Sequence, residues 1–334
     1  MPADRVPAPG AVGAVGSSTM AQPSRPSPPR RPWWPWAKRV LATAFMALVL
    51  ALLVNLGRRI DWAGAVAAVQ ALPAATLLAA AALAALSHGL YCCYDLIGRH
   101  QTGHGLPRRS VVTVGFISYA FNLNLGSLVG GVAFRYRLYT QLGLGADVIT
   151  HVLGLSLLTN WLGYVFVGGL VLLLHPPALA AAWVPAHPQV LGAVLLLAVA
   201  AYGALCLGAR RREWQLASHQ LRLPSGRLAL LQLALSSLNW LLIAAVVHVL
   251  LQQRVEYATV LGVLLLAAVA GVVTHVPAGL GVLEAVFLTL LSQLPQAELL
   301  GALLAYRFIY YLVPLALASA LFLATRKGVL AARS

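Results

Sequence analysis

The sequence predicts an all-α polytopic membrane protein, and three observations support this fold class. Of the 334 residues, 60% are hydrophobic and only 9% are charged, against roughly 25% charged residues in soluble domains. The apolar residues form segments of about 20 residues, the length that crosses the hydrocarbon core of a bilayer. The 23 basic residues outnumber the 8 acidic ones and gather at segment ends, as the positive-inside rule expects. We do not expect nucleic acid as a partner, since no soluble module interleaves aromatic and basic residues.

Eight apolar segments are predicted, six of them full spans and two of them re-entrant hairpins. Residues 1–37 read as a basic, Pro-rich disordered tail, because they carry little apolar periodicity. Residues 38–327 form a single transmembrane domain, and residues 328–334 form a short C-terminal tail. The full spans are expected at about 40–57, 74–97, 146–174, 189–208, 228–251 and 298–325. A short amphipathic stretch after Arg59, running to about Pro73, is expected to lie in the membrane interface.

The basic loops set the expected orientation. Both termini and the loops 98–110 and 209–227 are basic, which predicts that they are cytoplasmic. The loops 175–188 and 252–257 are then outside. Counting crossings between these loops leaves two stretches that must enter and return on the same side, an inner hairpin at 111–143 and an outer hairpin at 258–296. The expected location is a bacterial inner (plasma) membrane, with both termini in the cytoplasm.

Each predicted hairpin has a glycine-rich break between two apolar limbs. The breaks contain Gly126, Gly130 and Gly131 in the first half, and Pro277, Gly279 and Gly281 in the second. The halves, at about 38–174 and 189–325, therefore match in reverse orientation, with an offset of about 150 residues. Inverted repeats with paired broken helices are typical of transporters, which bind their substrate near the midplane. The alternative is eight plain spans with glycine kinks.

Two ionisable residues in the second half are the first candidates for function, because charge in hydrocarbon is costly. Glu284 follows the second break, and Arg307 lies inside the last span. One interpretation is a structural ion pair between them. The other is that Arg307 binds a lipid phosphate while Glu284 acts as a proton or head-group partner. His275, at the turn, is either a neutral donor to a freed carbonyl or a titrating residue in proton coupling.

Further candidates lie in the first half and beside Arg307. Arg135 and Arg137 flank Tyr136 on the returning inner limb. They are either cytoplasmic anchors or ligands of phosphate, which the arginine fork suits. We also predict substrate contacts from Tyr136, from Asn122, before the first break, and from Tyr306. Asp95 lies four residues before Arg99 on one predicted helix, a spacing that favours an ion pair between them.

No enzyme, cofactor or metal site is indicated by the sequence. It contains no Gly-x-Ser-x-Gly elbow, no Gly-Lys-Ser/Thr of a P-loop and no His-Glu-x-x-His motif. Cys92, Cys93 and Cys206 lie in apolar segments without Cys-x-x-Cys spacing, so we expect free thiols. Without a nucleotide site, transport would be passive or ion-coupled.

Several sequence blocks together resemble one family. They are Tyr91-Cys-Cys-Tyr-Asp95, Gly130-Gly131 with Arg135-Tyr-Arg137, Thr159-Asn-Trp161, Ser237-Leu-Asn-Trp240, His275-Val-Pro-Ala-Gly-Leu-Gly-Val-Leu-Glu284 and Ala305-Tyr-Arg307. Over about 38–327 the chain resembles the transmembrane (flippase) region of lysylphosphatidylglycerol synthases, in its YbhN-like branch. The resemblance implies the membrane architecture and the movement of phospholipid between leaflets. Synthase activity is not expected, because the chain ends shortly after its last span, where those synthases continue into a soluble aminoacyltransferase domain.

The sequence thus favours a protein that binds and translocates a phospholipid, anionic or aminoacylated, between leaflets. A second hypothesis is a non-transporting partner or assembly factor for a lipid-synthesis enzyme or the envelope. A third, a lipid-modifying enzyme, would use Glu284 with His275 as an acid–base pair, but no nucleophile or metal accompanies them. The expected partners are phospholipids and the membrane, and the oligomeric state is left open.

Overall fold

The computed structural model describes residues 61–176, 187–208, 213–216, 219–274 and 276–331. The predicted tail at 1–37 and the predicted first span at 40–57 lie outside the described residues, as does His275. Nearly all of the described chain is helical, so the all-α fold class is confirmed. The described residues belong to one compact unit.

Among its described residues, the first half contains five α-helices and a π-helical segment. Its elements are α1 (Trp62–Gln70), α2 (Ala74–Thr102), α3 (Arg108–Leu125), the π segment Ser127–Ala133, α4 (Phe134–Gln141) and α5 (Ala146–Leu174). Proline stands immediately before α2 and α3, at Pro73 and Pro107, where its missing N–H is not needed. The helix α1 begins at an N-cap, since the Asp61 carboxylate accepts a hydrogen bond from the Gly64 N–H at 2.9 Å. It corresponds to the amphipathic stretch predicted after Arg59.

The second half repeats this order and adds a short β-ribbon. Its elements are α6 (Pro188–Gly208), β1 (Glu213–Leu216), β2 (His219–Arg222), α7 (Gly226–Leu250), α8 (Tyr257–Thr274), a 3-10 turn (Pro277–Gly279), α9 (Val282–Leu290), α10 (Gln296–Tyr306), the π segment Arg307–Leu312 and α11 (Val313–Ala331). The strands β1 and β2 pair antiparallel. They lie within the basic loop predicted at 209–227, for which the sequence analysis proposed no strands.

Six helices in the described part of the chain are long and apolar enough to cross a membrane. They are 74–102, 146–174, 188–208, 226–250, 257–274 and 296–324. Five coincide with predicted full spans, and the sixth is α8, predicted as the first limb of the outer hairpin. The helix α3, the first limb of the predicted inner hairpin, is not among these six candidate spans. Its hydropathy is lowered by Arg108, Arg109, Asn122 and Asn124. The returning limbs pack against the limbs that precede them, but whether either hairpin is re-entrant stays a prediction.

The long helices of the two halves pack directly against each other. The helix α2 lies against α7, and α7 also lies against α5. Gly163 on α5 permits close approach to α7, because a Cβ there would lie 2.4 Å from the backbone carbonyl carbon of Ser236. The core around α7, α8, α9 and α10 includes Val246, Leu264 and Phe287. This core packs around the second helix break, and a separate cluster that includes Ile117 and Tyr139 lies beside the first.

Candidate functional site

The second helix break lies beside the end of α3 and the last long helix. The C-terminal end of α3 packs against the turn Pro277–Gly279 and against the π segment Arg307–Leu312. The Asn124 side chain, one residue before the end of α3, donates a hydrogen bond from Nδ2 to the Tyr311 carbonyl at 3.3 Å. We call this meeting point of α3, the turn and the π segment the junction.

Arg307 ties the junction together. Its Nε donates to Glu284 Oε1 at 2.8 Å, and its Nη2 donates to Glu284 Oε2 at 3.2 Å and to the Gly279 carbonyl at 2.8 Å. Its Nη1 donates to the Ala278 carbonyl, and the guanidinium lies 4.7 Å from the centre of the Tyr311 ring. An interrupted helix leaves carbonyls unpaired, and at membrane depth other groups of the protein must satisfy them. Arg307 therefore holds the second break closed and pairs the Glu284 carboxylate.

The local sequence explains this turn. Ala278, Gly279 and Gly281 all have left-handed backbone conformations, with φ of 57°, 56° and 76°. Glycine adopts this region without strain, and α9 begins immediately afterwards at Val282. Glu284 lies in the first turn of α9, where a carboxylate is stabilised by the helix dipole.

At the first break, the backbone is packed so closely that glycine is required. The helix α3 ends where Gly126 takes φ of 83°, and the chain continues as the π segment. A Cβ on Gly130 would lie 2.1 Å from the Phe121 carbonyl oxygen, so no larger residue fits there without movement of the backbone. Asn122, predicted as a substrate contact, is half-buried beside Gly131, where its Oδ1 would lie 2.8 Å from an added Cβ.

A second ion pair lies beyond this break, between Arg135 and Asp95. Arg135 Nη2 lies 3.1 Å from Asp95 Oδ1, with the two side chains 2% and 0% exposed. Tyr139 donates its hydroxyl to Asp95 Oδ2 at 2.9 Å. Arg135 also donates to the Ser156 hydroxyl at 3.3 Å and to the Gly131 carbonyl at 3.4 Å. This pair, which we call the sealed pair, anchors the returning limb to α2 and α5.

The predicted pairing of Asp95 with Arg99 was wrong. Arg99 instead donates from Nε to the Leu106 carbonyl at 2.7 Å, in the loop between α2 and α3. Asp95 is completely buried. In the interior it binds Arg135, which lies 40 residues further along the chain. The spacing of four residues on one helix was therefore outweighed by a tertiary contact.

The structure separates the remaining predicted site residues. Tyr306 is buried and stacks on Tyr310, with ring centres 5.4 Å apart, beside the junction. Tyr136 hydrogen-bonds through its hydroxyl to that of Thr150. Arg137 is exposed, and its guanidinium lies 5.6 Å from the ring centre of Phe322. Within the described ranges, no three His, Cys, Asp or Glu residues lie together in the manner of a metal site.

A buried hydrogen-bond chain that the sequence analysis did not single out joins the two halves. The Ser87 hydroxyl on α2 donates to Asn239 Oδ1 on α7 at 2.7 Å. Ser87 also contacts the Tyr310 hydroxyl at 2.7 Å, and Tyr310 contacts that of Tyr119 at 2.9 Å. Because Ser87 has one proton and gives it to Asn239, Tyr310 must donate to Ser87 and Tyr119 to Tyr310. The only signal in the sequence was the presence of polar residues within apolar spans.

Aromatic rings connect this chain with the sealed pair. The Arg135 guanidinium lies 5.7 Å from the centre of the Tyr91 ring. Tyr91 stacks on Tyr119, with centres 3.5 Å apart, and Tyr310 packs against both Tyr306 and Tyr311. A continuous set of buried polar and aromatic side chains therefore runs from the sealed pair to the junction.

The sequence of this region matches a known family. The sequence profile described as the lysylphosphatidylglycerol synthase TM region matches residues 39–318. The chain belongs to this family. It is a multi-pass membrane protein, and both ion pairs lie within the matched region of the lysylphosphatidylglycerol synthase TM family.

Two relatives are similar along most of their length. The inner membrane protein YbhN of Escherichia coli is 42% identical over 84% of this chain and 90% of that protein. An uncharacterized protein of Synechocystis is 33% identical over 77% of this chain and 82% of that protein. A phosphatidylglycerol lysyltransferase of Staphylococcus haemolyticus is 39% identical over 25% of this chain, and the match spans only 10% of that protein. The similarity to the lysyltransferase is therefore confined to about a quarter of this chain, whereas the first two relatives match most of it.

Proposed function

We propose that this protein resides in a bacterial inner membrane and moves an anionic or aminoacylated phospholipid between leaflets. The observation that carries the proposal is the junction, where the end of α3 packs against the broken turn that Arg307 holds. The partners of Arg307 are one carboxylate and two carbonyls of this irregular turn. Broken helices beside a charged residue within the bundle are typical of transporter binding sites.

The chemistry of Arg307 suits a phosphate. A guanidinium offers the same fork to a phosphate as to a carboxylate, so a lipid phosphate competes directly with Glu284. When one anion replaces the other, the positive charge of Arg307 always has an anionic partner. This avoids an unpaired charge inside the bundle. Glu284, once displaced, would take up one proton and give it back when the lipid leaves. This exchange provides a route to ion coupling without a nucleotide.

The relatives support the substrate class. Phosphatidylglycerol lysyltransferase is named for an anionic lipid, and YbhN is named as an inner membrane protein. In this proposal Arg307 holds the phosphate, Tyr306 and Asn122 border its path, and Arg135 holds the first break in place. His275 and Glu284 are the candidates for proton transfer. Arg137 and Tyr136 are assigned to the approach of the lipid to the first break, and no catalytic step is assigned to the chain.

The test is a leaflet assay with a matched control. Purified protein is placed in liposomes that contain fluorescent phosphatidylglycerol, and an impermeant reductant such as dithionite bleaches the outer leaflet. Wild-type protein should accelerate the loss of inner-leaflet fluorescence, and Glu284→Gln should abolish the acceleration. The control is Glu298→Gln, the same change in an exposed carboxylate that pairs with Arg254 on the surface. It should behave as wild type.

Two outcomes would reject the proposal. A folded Glu284→Gln protein that flips lipid at the wild-type rate would remove the junction from the mechanism. Failure of the wild type to accelerate exposure of any anionic or aminoacylated lipid, with proton gradients imposed, would favour the role of a partner or assembly factor. Co-purification of a lipid-synthesis enzyme would then be the next measurement.

A further inference from the structure

An apolar groove runs along the side of the bundle, between α2 and the last long helix. Its volume is about 1020 Å³, at the upper end of the roughly 300–1,000 Å³ of small-molecule sites. Its walls are almost entirely apolar, and α1 contributes to its lining. Representative wall residues are Leu77, Ala81, Ala85, Phe308, Val313 and Leu317.

The groove passes the middle of the membrane-spanning region. On α2 its wall extends from Leu77 to Cys92, which is roughly 22 Å at the helical rise of 1.5 Å per residue. One leaflet contributes only about 15 Å of the roughly 30 Å hydrocarbon core. A groove of this length therefore reaches from one leaflet past the midpoint of α2.

His88 lies in the groove wall at that midpoint, fourteen residues from either end of α2. The residue is 3% exposed, and its ring packs against those of Tyr119 and Tyr310 with centres 5.0 and 4.8 Å apart. Its Nδ1 lies 2.9 Å from the Ala84 carbonyl. A carbonyl only accepts, so Nδ1 carries the proton and Nε2 of the neutral ring is an acceptor. Nε2 is buried without a partner among the described residues, although buried polar atoms are normally paired.

We propose that the groove holds the acyl chains of the transported phospholipid, and that His88 Nε2 accepts a hydrogen bond from its head group. This inference rests on the proposed function and adds a determinant of lipid specificity. The apolar walls suit hydrocarbon and offer water few partners. The single unpaired acceptor suits a head group with an O–H or N–H donor, such as glycerol or a primary amine. A choline head group has no such donor.

The groove and the junction share one turn of helix. Phe308 and Ile309 line the groove, and the preceding residue Arg307 binds Glu284 on the other side. The π-helical geometry of Arg307–Leu312 turns consecutive side chains toward both features, a use of π turns that is frequent at functional sites. Because Nε2 is buried, a head group reaches it only by separating α2 from this turn.

The experiment measures lipid binding without transport. The full chain is reconstituted with traces of phosphatidylglycerol or phosphatidylcholine that carry a photoreactive diazirine on one acyl chain. After irradiation, mass spectrometry compares labelling of α2 and α10–α11 peptides with labelling of α6, whose outward face serves as a reference. Phosphatidylglycerol should label the groove peptides several-fold more than phosphatidylcholine does.

Matched variants distinguish the contribution of the His88 acceptor from that of the open volume of the groove. His88→Phe keeps an aromatic ring between the two tyrosines and removes the acceptor, so the preference for phosphatidylglycerol should disappear. His88→Gln supplies an amide oxygen and should restore part of the preference. Ala85→Trp fills the groove and should lower labelling by both lipids. Ala198→Trp, the same change at an exposed alanine on α6, should lower neither.

Three results would overturn the inference. They are equal labelling of the groove by both lipids, an unchanged preference in a folded His88→Phe protein, and lipid labelling of residues 40–57 in place of the groove peptides. Each leaves the proposed function intact if Glu284→Gln still abolishes flipping. Conversely, preferential labelling that depends on His88 would stand as lipid binding even if no flipping were found.

Discussion

The two ion pairs beside the helix breaks differ in how completely the protein encloses them. The side chains of Arg135 and Asp95 are 2% and 0% exposed, whereas those of Arg307 and Glu284 are 9% and 15% exposed. Each pair ties a hairpin to a long helix, in corresponding parts of the two halves. Their different exposure indicates that the halves no longer have the same role.

The partners of each arginine sharpen this comparison. The Asp95 carboxylate, held by Arg135, also accepts from Tyr139, and all three side chains are buried. Arg135 has two uncharged acceptors beside Asp95, the Ser156 hydroxyl and the Gly131 carbonyl.

Arg307 likewise has the carbonyls of Ala278 and Gly279 beside Glu284. The Glu284 carboxylate, however, is more exposed than that of Asp95. An anion can replace Glu284 while those carbonyls remain. We infer that the first hairpin is fixed and that the second can exchange ligands.

The largest expected effect is that of Asp95→Asn. The change leaves the Arg135 charge buried without a counter-charge, which typically costs about 3–5 kcal/mol. We expect poor expression, or a large drop in the thermal unfolding temperature of the detergent-solubilised protein. A variant as stable as wild type would show that water reaches the sealed pair.

A paired substitution is the control for this prediction. Asp95→Leu combined with Arg135→Met removes both charges and keeps apolar volume, and such replacements are often neutral or stabilising. The double variant should be more stable than Asp95→Asn. We also expect it to retain lipid flipping, because both side chains are buried and bound to groups of the protein; loss of flipping in a stable double variant would support the predicted role of Arg135 as a ligand of phosphate.

Glu284→Gln should have a smaller effect on stability than Asp95→Asn. Arg307 and Glu284 are more exposed than the sealed pair, so an arginine without its counter-charge costs less there, and the loss should be near the roughly 1.5–3 kcal/mol of a charged hydrogen bond. The measurement is thermal unfolding of both variants in the same detergent. If Glu284→Gln proved to be the more damaging change, the second pair would be the structural one and the assignment of roles would be reversed.

The helix breaks themselves provide the next comparison. Gly130→Ala places a Cβ against the Phe121 carbonyl, and overpacking of this kind costs about 1–3 kcal/mol. Gly89→Ala is the matched control, since a Cβ there meets nothing within 4 Å. We expect a lower unfolding temperature for Gly130→Ala alone. Equal stability of the two variants would indicate that the first break is pliable.

The local parts of this architecture were predictable from the sequence, and the contacts across it were not. Five predicted spans coincide with long helices of the structure, because each is a continuous apolar segment of the sequence. Glu284 and Arg307 were recognised together because charges within apolar segments are few. Asp95 was assigned to Arg99, its neighbour on the same helix, because nothing in one sequence reveals that Arg135 folds back onto α2. His88 was overlooked because a single polar residue in a span reveals neither its unpaired nitrogen nor the groove beside it.

The smallest expected effect concerns the surface pair of Arg254 and Glu298, whose side chains are 50% and 47% exposed. Exposed pairs contribute about 0.2–1 kcal/mol, so Glu298→Gln should shift the unfolding temperature by little, and less still at high salt. The three carboxylates Asp95, Glu284 and Glu298 then form a series in which the stability loss falls as exposure rises. The loss of flipping should not follow this order, because only Glu284 lies where a lipid phosphate can replace it. If flipping declined in parallel with stability across the series, Glu284 would be a structural residue and the exchange of ligands at Arg307 would have to be abandoned.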